Sequence, residues 1–381
     1  MLIGRSDRGM LATWWFTVDR LLLSAVLLLM AAGVLISMAA SPPVAERLGL
    51  DSFHFFKNQL FYLIPATFVL VGTSLLDPKQ ARRVSLYVLI ATLGLMAAAL
   101  YVGPEIKGAH RWIELGPLNL QPSEVAKPAF IVMVAWFLAE HTRKPEMPGH
   151  LLAFAVAAGF VGLLLLQPDF GQSALVVLVF AAILLLYGIS WIFVGAIAAA
   201  CAGGVFAAYT MLPHVASRLD RFMSPDKGDT FQVDTAKQAF QNGGFLGAGP
   251  GAGEAKQILP DSHTDFTFAV VGEEFGFVAC IALMALFIFI VLRILKRASV
   301  EADPFPALAM SGLAVVFGLQ AVINMGVNVS LLPAKGMTLP FISYGGSSLI
   351  GMAFAMGLVL AFGRTRPAAE FGDVSWLPAQ A

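Results

Sequence analysis

The chain has 381 residues, of which 58% are hydrophobic and 13% are charged, and its formal net charge is zero. A soluble domain carries about a quarter charged residues, so the composition excludes an ordinary soluble protein, and the zero net charge gives no indication of a nucleic-acid partner. The sequence therefore predicts an all-α, polytopic membrane protein.

Ten apolar segments are each predicted to cross the membrane. A span takes about 20 apolar residues, and it must be helical because backbone hydrogen bonds cannot go unmade in lipid. The first segment exceeds the apolar core of a signal peptide, about 7–15 residues, so we expect an uncleaved span. No linker delimits a soluble domain, and residues 1–381 are expected to form a single transmembrane domain. The predicted spans are 17–40, 57–76, 83–103, 121–140, 149–167, 172–187, 189–211, 266–293, 306–331 and 342–363.

Basic residues are distributed unevenly between the two sets of connections. One set holds thirteen lysines and arginines, and the short connections of the other set hold five. By the positive-inside rule the first set faces the cytoplasm, which predicts that both termini lie there. The large loop at 212–264, between spans seven and eight, is then extracytoplasmic, together with the connections at 104–120 and 332–341.

Charged groups inside a membrane cost on the order of several kcal/mol, so polar motifs at the span ends are candidate functional sites. The sequence Gly-Ala-His-Arg-Trp-Ile at 108–113 presents Arg111. This arginine is either an interfacial anchor beside a tryptophan or a ligand for phosphate, which suits the planar guanidinium. In residues 121–127, Glu124 and Lys127 are three positions apart and share a helix face. They form either a structural ion pair or the polar floor of an outward-open cavity.

Two aspartates follow at positions predicted to lie on the outer side. Asp169, in the sequence Gln-Pro-Asp-Phe-Gly, either caps the sixth span or adds to a binding site. Asp265, in 259–266, either caps the eighth span or acts as a general base, because partial burial would raise its pKa towards a useful range. Glu273 and Glu274 lie two turns further along, where only a polar cavity or ion pairing would tolerate them.

Small and amide residues complete the polar pattern. The glycine-rich stretch at 247–253 matches no P-loop, so we predict a flexible or tightly folded loop and not a nucleotide site. Ser343 lies among small residues that favour close helix packing at the start of the tenth span. Asn324 and Asn328, four positions apart, are predicted to form interhelical hydrogen bonds.

In their order, these motifs resemble those of the SEDS proteins, the shape, elongation, division and sporulation family. Residues 332–340 are more similar to the division member of this family than to the elongation member. Three positions depart from the family pattern, with Ala334 in place of the usual Thr, Asp261 in place of Glu, and Phe275 in place of Leu. The resemblance covers about residues 15–365 and rests on the motifs at 108–113, 121–127, 167–171, 259–266, 272–276 and 342–347.

The resemblance implies a peptidoglycan glycosyltransferase of the bacterial inner membrane that polymerises lipid II into glycan strands during septal wall synthesis. It maps the essential aspartate of the family onto Asp265 and the membrane-cavity pair of the family onto Glu124 and Lys127. Further residues expected to contact lipid II are Arg111, Asp169, Arg218, Arg221, His263 and Ser343.

The resemblance also implies partners and leaves alternatives open. A class B penicillin-binding protein, which supplies the crosslinking transpeptidase, is the expected partner, together with other division proteins. The sequence shows no dedicated metal site, but a divalent cation such as Mg²⁺ could neutralise the departing pyrophosphate. A lipid II flippase, an elongation-type polymerase and a scaffold of the division machinery without chemistry are the alternatives to the division-type polymerase.

Overall fold

The computed structural model describes residues 9–106, 108–116, 118–211, 231–333 and 336–365. These residues form thirteen helices and one short hairpin. The helices are α1 (Met10–Thr17), α2 (Arg20–Arg47), α3 (His54–Ser74), α4 (Pro78–Val102), α5 (Pro122–Arg143), α6 (Gly149–Leu166), α7 (Phe170–Tyr187), α8 (Trp191–Met211), α9 (Phe231–Gly243), α10 (Ala255–Ile258), α11 (Thr267–Ser299), α12 (Pro304–Asn328) and α13 (Gly346–Phe362).

Each of the ten predicted spans coincides with one of these helices, namely α2 to α8 and α11 to α13. Eight of the helices are long and apolar enough to cross a membrane, judged by length and composition. The prediction of an all-α, polytopic membrane protein is therefore confirmed. The count of ten spans and the cytoplasmic position of both termini remain predictions.

Helices α5 and α13 form the centre of the bundle. Helix α5 contacts α4, α6, α12 and α13, and α13 packs in turn against α3. Association in lipid depends on close packing of backbones, which small residues permit. A methyl group on Gly351 of α13 would lie 2.5 Å from the carbonyl oxygen of Glu124 in α5, so glycine is required where these two helices meet. This contact places the first turn of α5 in the buried middle of the protein.

An antiparallel hairpin that the sequence analysis did not predict precedes α5. Its strands are β1 (Ile113–Leu115) and β2 (Leu118–Leu120). Gly116 begins the turn with a φ of 64°, which glycine adopts without steric cost. Ser347 Oγ of α13 accepts from the Gln121 N–H at 2.9 Å and donates to the Asn119 carbonyl at 3.1 Å. The hairpin is thereby fixed to the start of α13.

The two ends of the bundle differ in character. The hairpin, residues 231–266 and residues 336–345 lie at one end, here called the loop end. The opposite end, here called the basic end, carries the ion pairs of Arg143 with Asp303 at 2.6 Å and of Arg293 with Asp19 at 2.8 Å. The predicted orientation places the loop end outside the cell and the basic end in the cytoplasm.

Helix α11 is interrupted at Gly276, whose φ of 78° and ψ of −177° are not helical. The interruption leaves peptide groups of α11 without partners in the helix, and non-helical backbone at membrane depth is tolerated only where protein satisfies it. Residues 244–249 supply the missing partners. The four bonds are Phe277 N–H to Gly244 O at 2.9 Å, Val278 N–H to Phe245 O at 3.3 Å, Ala248 N–H to Glu273 O at 2.9 Å and Gly249 N–H to Glu274 O at 3.1 Å.

Two buried carboxylates of α11 hold the same loop. Glu273 accepts hydrogen bonds from the backbone N–H groups of Ala255 and Lys256, at 2.7 and 2.9 Å, where α10 begins. The Lys256 ammonium forms an ion pair with Glu274, and their side chains are 5% and 0% exposed. The glycine-rich stretch before α10 is therefore tightly folded against α11. Of the two alternatives that the sequence left open, a polar cavity or ion pairing, Glu274 makes an ion pair with a lysine that the sequence analysis did not single out, and Glu273 accepts backbone hydrogen bonds.

Candidate functional site

The centre of the bundle contains a buried ion pair on the first turn of α5. Pro122 opens this helix, and Glu124 and Lys127 follow three residues apart on one face, as predicted. Lys127 Nζ lies 2.9 Å from Glu124 Oε1, and the two side chains are 1% and 4% exposed. Such a pair is stable out of water only when further hydrogen bonds satisfy both groups.

Two glutamines complete this site, and neither was singled out from the sequence. The three donors of Lys127 Nζ reach Glu124 Oε1, Gln172 Oε1 of α7 at 2.9 Å and Gln320 Oε1 of α12 at 3.0 Å. Gln172 Nε2 also donates to Glu124 Oε1 at 2.8 Å. Glu124 Oε2 is buried and has no hydrogen-bond partner among the described residues. The pair therefore joins three helices and retains one open acceptor.

A second charged pair lies at the turn between α6 and α7. Arg111 Nη1 lies 3.9 Å from Asp169 Oδ2, and Arg111 Nε donates to the carbonyl of Gln167 at 2.9 Å. Asp169 also caps α7, because its Oδ1 accepts from the Gln172 N–H at 3.3 Å. Burial raises the pKa of Asp169 above its usual range, although the Arg111 guanidinium opposes this shift. Asp169 thus makes the predicted cap and also faces the arginine, whose side chain stays 30% exposed.

Asp265 occupies the turn that leads into α11. The N–H groups of Thr264 and Asp265 donate to the carbonyl of Asp261 at 3.0 and 3.1 Å, and Asp261 adopts a φ of 54°. The N-cap of α11 is Phe266, so Asp265 precedes the cap position. Asn328 Oδ1 accepts from the Ala269 N–H at 2.9 Å and so supplies a side-chain acceptor to the first turn of α11, while the capping alternative for Asp265 remains a prediction.

Asparagine side chains of α12 hold the backbone of Asp265. Its carbonyl oxygen accepts hydrogen bonds from Asn324 Nδ2 and Asn328 Nδ2, each at 2.9 Å. The Asn324 amide also donates to the carbonyl of Met337 at 2.6 Å. The segment after Gly336 is thereby held against Asp265, and a methyl group on Gly336 would lie 3.6 Å from Asp265 Oδ2. The interhelical hydrogen bonds predicted for these asparagines thus hold the loops that enclose Asp265.

Gln320, Asn324 and Asn328 are spaced four residues apart and follow one face of α12. Gln320 reaches Lys127 at one end of this polar strip, and Asn328 reaches Asp265 at the other. Eight residues of helix span about 12 Å. The buried ion pair and Asp265 therefore belong to one continuous polar strip, which runs from the bundle centre to the loop end.

His263 and Ser343 lie beside this turn in structural settings. The His263 ring packs between those of Phe55, at a centroid distance of 4.2 Å, and Tyr344, at 5.6 Å. Ser343 is buried, and its Oγ accepts from the Leu339 N–H at 2.9 Å. Both residues shape the loops around Asp265, and contact with a substrate remains a prediction for each.

Two arginines of the large loop and a divalent cation complete the predicted contacts with lipid II. Arg218 and Arg221 lie outside the described residues. Within the described part of the chain, no three His, Cys, Asp or Glu side chains come together as a metal site. A divalent cation at the site thus remains a prediction that depends on a pyrophosphate supplying further oxygen ligands.

The protein-family model and the curated proteins that match this chain all concern the same kind of protein. Residues 19–367 match the FtsW/RodA/SpoVE family model, described as a cell cycle protein. A probable peptidoglycan glycosyltransferase FtsW from Caulobacter vibrioides is 42% identical over 325 residues, which covers 84% of this chain and 83% of that protein. A protein of the same name from Coxiella burnetii is 34% identical over 323 residues, covering 82% and 87% of the two chains.

Solved structures share the fold. A chain of a peptidoglycan synthase complex, whose structure concerns the coordination of polymerization and crosslinking, superposes with a TM-score of 0.74 at 29% identity. This match covers 91% of the present chain and 97% of that chain. The rod shape determining protein RodA of Thermus thermophilus superposes with a TM-score of 0.67 at 28% identity, covering 92% and 97% of the two chains.

Proposed function

Because the chain belongs to the FtsW/RodA/SpoVE family of cell cycle proteins, we propose that it is a peptidoglycan glycosyltransferase of the FtsW type. Its substrate is lipid II, a disaccharide-peptide carried on undecaprenyl pyrophosphate, and its product is the glycan strand of the septal cell wall. Identity of 42% to an FtsW protein, against 28% to a RodA protein, supports the division type over the elongation type.

One observation carries the proposal, namely the position of Asp265, whose backbone is held at the loop end of a polar strip that begins at a buried ion pair. Lipid II has a polar head and a long apolar tail, so its enzyme needs reactive groups where apolar helices meet polar loops. Asp265 lies at this boundary, in the loop at 261–266 that leads into the apolar helix α11 and beside the loop at 336–339. The half-buried position suits a general base, which must reach a sugar hydroxyl and remain partly shielded from water.

In the proposed reaction, a hydroxyl oxygen of one sugar attacks the anomeric carbon of another. The bond between this carbon and the pyrophosphate oxygen breaks through an oxocarbenium-like transition state. The hydroxyl proton passes to the Asp265 carboxylate, and the lipid pyrophosphate leaves with the bonding electrons. General-base help of this kind is worth about 10²–10⁴-fold in rate.

The departing pyrophosphate needs positive charge close to it. Arg111 is the described candidate, because its partly exposed guanidinium already lies at the loop end. Arg218 and Arg221 of the large loop are further candidates, and a divalent cation such as Mg²⁺ would serve the same purpose. Glu124, Lys127 and Asp169 would line the membrane side of the substrate groove.

The proposal extends to a partner and a location. The similar solved chain belongs to a peptidoglycan synthase complex, which supports a penicillin-binding protein of class B as the partner of this chain. The apolar helices place the chain in a membrane as a multi-pass protein. We assign it to the inner membrane at the division septum, where septal wall synthesis takes place.

A polymerisation assay tests the function directly. The purified chain, with and without a class B penicillin-binding protein, is incubated with fluorescent lipid II in detergent, and the products are separated on a gel. We expect ladders of long glycan strands. The absence of ladders under every condition, together with transfer of lipid II between the leaflets of liposomes, would replace the polymerase by a flippase.

Replacing Asn328 by aspartate should reduce the rate of polymerisation at temperatures where the variant is folded, and the carboxylate buried at residue 328 should also lower the unfolding temperature. One carboxylate oxygen can still accept from the Ala269 N–H, whereas the other cannot donate to the Asp265 carbonyl and repels it. A misplacement of about 1 Å can cost on the order of 10²-fold in rate, so we expect kcat to fall at least tenfold while KM for lipid II stays within about twofold. The matched control is Asn242→Asp, at an exposed asparagine of α9. Equal kcat values for the two variants would show that Asn328 does not position Asp265.

A further inference from the structure

A cavity of about 340 Å³ lies at the basic end, far from Asp265. It opens where the turn between α1 and α2 meets α11 and the end of α13. A smaller cavity of about 140 Å³ adjoins it and shares the lining residues Asp19, Arg293 and Arg297. The two cavities therefore form one recess, which the proposed polymerase activity does not use.

The recess is strongly basic. Arg20, Arg293, Lys296 and Arg297 line it, and Asp19 is the one carboxylate among the described lining residues. Asp19 is already engaged, because both of its oxygens accept from Arg293, at 2.8 and 3.1 Å. No described carboxylate forms an ion pair with the other three cations. Counted over the described residues, the recess therefore carries net positive charge.

Three of the four cations, Arg20, Arg293 and Arg297, have contacts that orient their guanidinium groups. Arg297 Nε donates to the carbonyl of Gly363 at 2.8 Å. The Arg20 guanidinium lies 5.0 Å from the centroid of the Trp15 ring and 5.5 Å from that of Phe16. Such cation–π contacts, with the Arg293 pair below them, fix the direction of the positive groups. Arginines with defined directions suit a compact anion better than the freely moving basic side chains that satisfy the positive-inside rule.

Apolar surface continues from the recess along the membrane-facing side of the bundle. Leu21 and Phe16 line the recess and are 60% and 38% exposed. Leu28, seven residues further along α2, is 59% exposed, and Leu292 on the neighbouring helix α11 is 59% exposed. The short helix α1, with its exposed tryptophan and phenylalanine, has the composition of a segment that lies at a membrane interface. An anion bound here would therefore have room for an attached apolar chain.

We propose that this recess binds the phosphate headgroup of an anionic phospholipid, with the acyl chains lying along α2 and α11. The headgroup phosphate would meet Arg20, Lys296 and Arg297 at the predicted cytoplasmic surface. Anionic lipids give this leaflet its negative potential, and basic recesses between spans bind their headgroups. The site is independent of the polymerase activity, so either assignment can fail without the other.

Native mass spectrometry of the full chain in detergent tests the proposal. Phosphatidylglycerol is titrated against phosphatidylcholine with the same acyl chains, and bound lipid is counted. We expect preferential binding of phosphatidylglycerol and a fall in its affinity of about 25-fold in the double variant Arg20→Gln, Lys296→Gln, since each basic residue contributes about fivefold. The control Lys79→Gln, Arg83→Gln removes the same charge from exposed positions on α4 and should change the affinity by less than about twofold.

Several results would overturn the assignment. Equal binding of both lipids, or equal losses in the two double variants, would reduce the recess to a general basic surface. Competition by glycerol phosphate at the same concentration as the lipid would indicate a site for free phosphate. If removal of residues 366–381, which contain Glu370 and Asp373, increased lipid affinity more than tenfold, the chain's own acidic segment would be the occupant. If the double variant failed to fold, Lys296→Gln alone should still lower the affinity about fivefold.

Discussion

Replacing Asp265 by asparagine should abolish the synthesis of long glycan strands. Asparagine has nearly the same shape but cannot take a proton from the attacking hydroxyl, and loss of a general base costs about 10²–10⁴-fold in rate. The backbone of residue 265 should keep its place, because its carbonyl is held by Asn324 and Asn328 whatever the side chain. We therefore expect an unchanged unfolding temperature together with no detectable ladder in the lipid II assay.

Asp261→Asn is the matched control for this variant. Asp261 lies in the same turn, and asparagine tolerates its φ of 54°. The three N–H groups that fold the turn, those of residues 264–266, donate to the carbonyl of Asp261, which the substitution leaves unchanged. We expect this control to keep its polymerase activity within a few-fold. Full-length strands from purified Asp265→Asn protein would refute the assignment of Asp265 as the base. If neither the wild type nor the variant formed strands, the scaffold interpretation would be favoured.

Replacing Lys127 by methionine should cost the protein about 3–5 kcal/mol of stability, the usual result of leaving one member of a buried ion pair alone. Glu124 would then be buried at the centre of the bundle without the ammonium that lies 2.9 Å away. Gln172 and Gln320 would lose the donor that their side-chain oxygens share. Thermal unfolding in a mild detergent, followed by circular dichroism, measures the loss.

The double variant Glu124→Gln, Lys127→Met separates the structural from the functional meaning of the pair. Removing both charges is often close to neutral for stability, so it should recover most of the loss caused by Lys127→Met. A stable but inactive double variant would place the pair in the substrate groove, whereas an active one would make it a structural ion pair. Additive losses from the two single substitutions would show that the two residues are not energetically coupled.

The helical architecture could be predicted from the sequence because hydropathy and length alone decide which segments cross a membrane. The two features that were missed depend on local geometry inside apolar stretches. The predicted span at 266–293 is longer than the about 20 residues that a span needs, and this excess length was the available signal for the interruption at Gly276. The hairpin at 113–120 had its own signal in two short segments of alternating apolar and polar residues, Ile-Glu-Leu and Leu-Asn-Leu, separated by Gly-Pro.

The candidate site could be predicted only in part. The spacing of Glu124 and Lys127 predicted their contact, because residues three apart in a helix share a face. Gln172 and Gln320 come from helices that no local pattern connects to α5, so only the packed structure reveals them. Glutamine within an apolar span was the one signal that could have marked them. For Asn328 the sequence predicted hydrogen bonds between helices, but not that they would hold the backbone of Asp265.

The interruption of α11 also determines which segments of this protein can be exchanged with those of its relatives. Because residues 244–249 satisfy four peptide groups of α11, the loop cannot be exchanged as an appendage between relatives. A chimaera whose boundary falls between this loop and residues 273–278 would leave those groups unsatisfied near the membrane, each at a cost of about 1–3 kcal/mol. Residues 231–278 therefore constitute a single module for grafting, and a loop carried with its own half-helix should transfer intact.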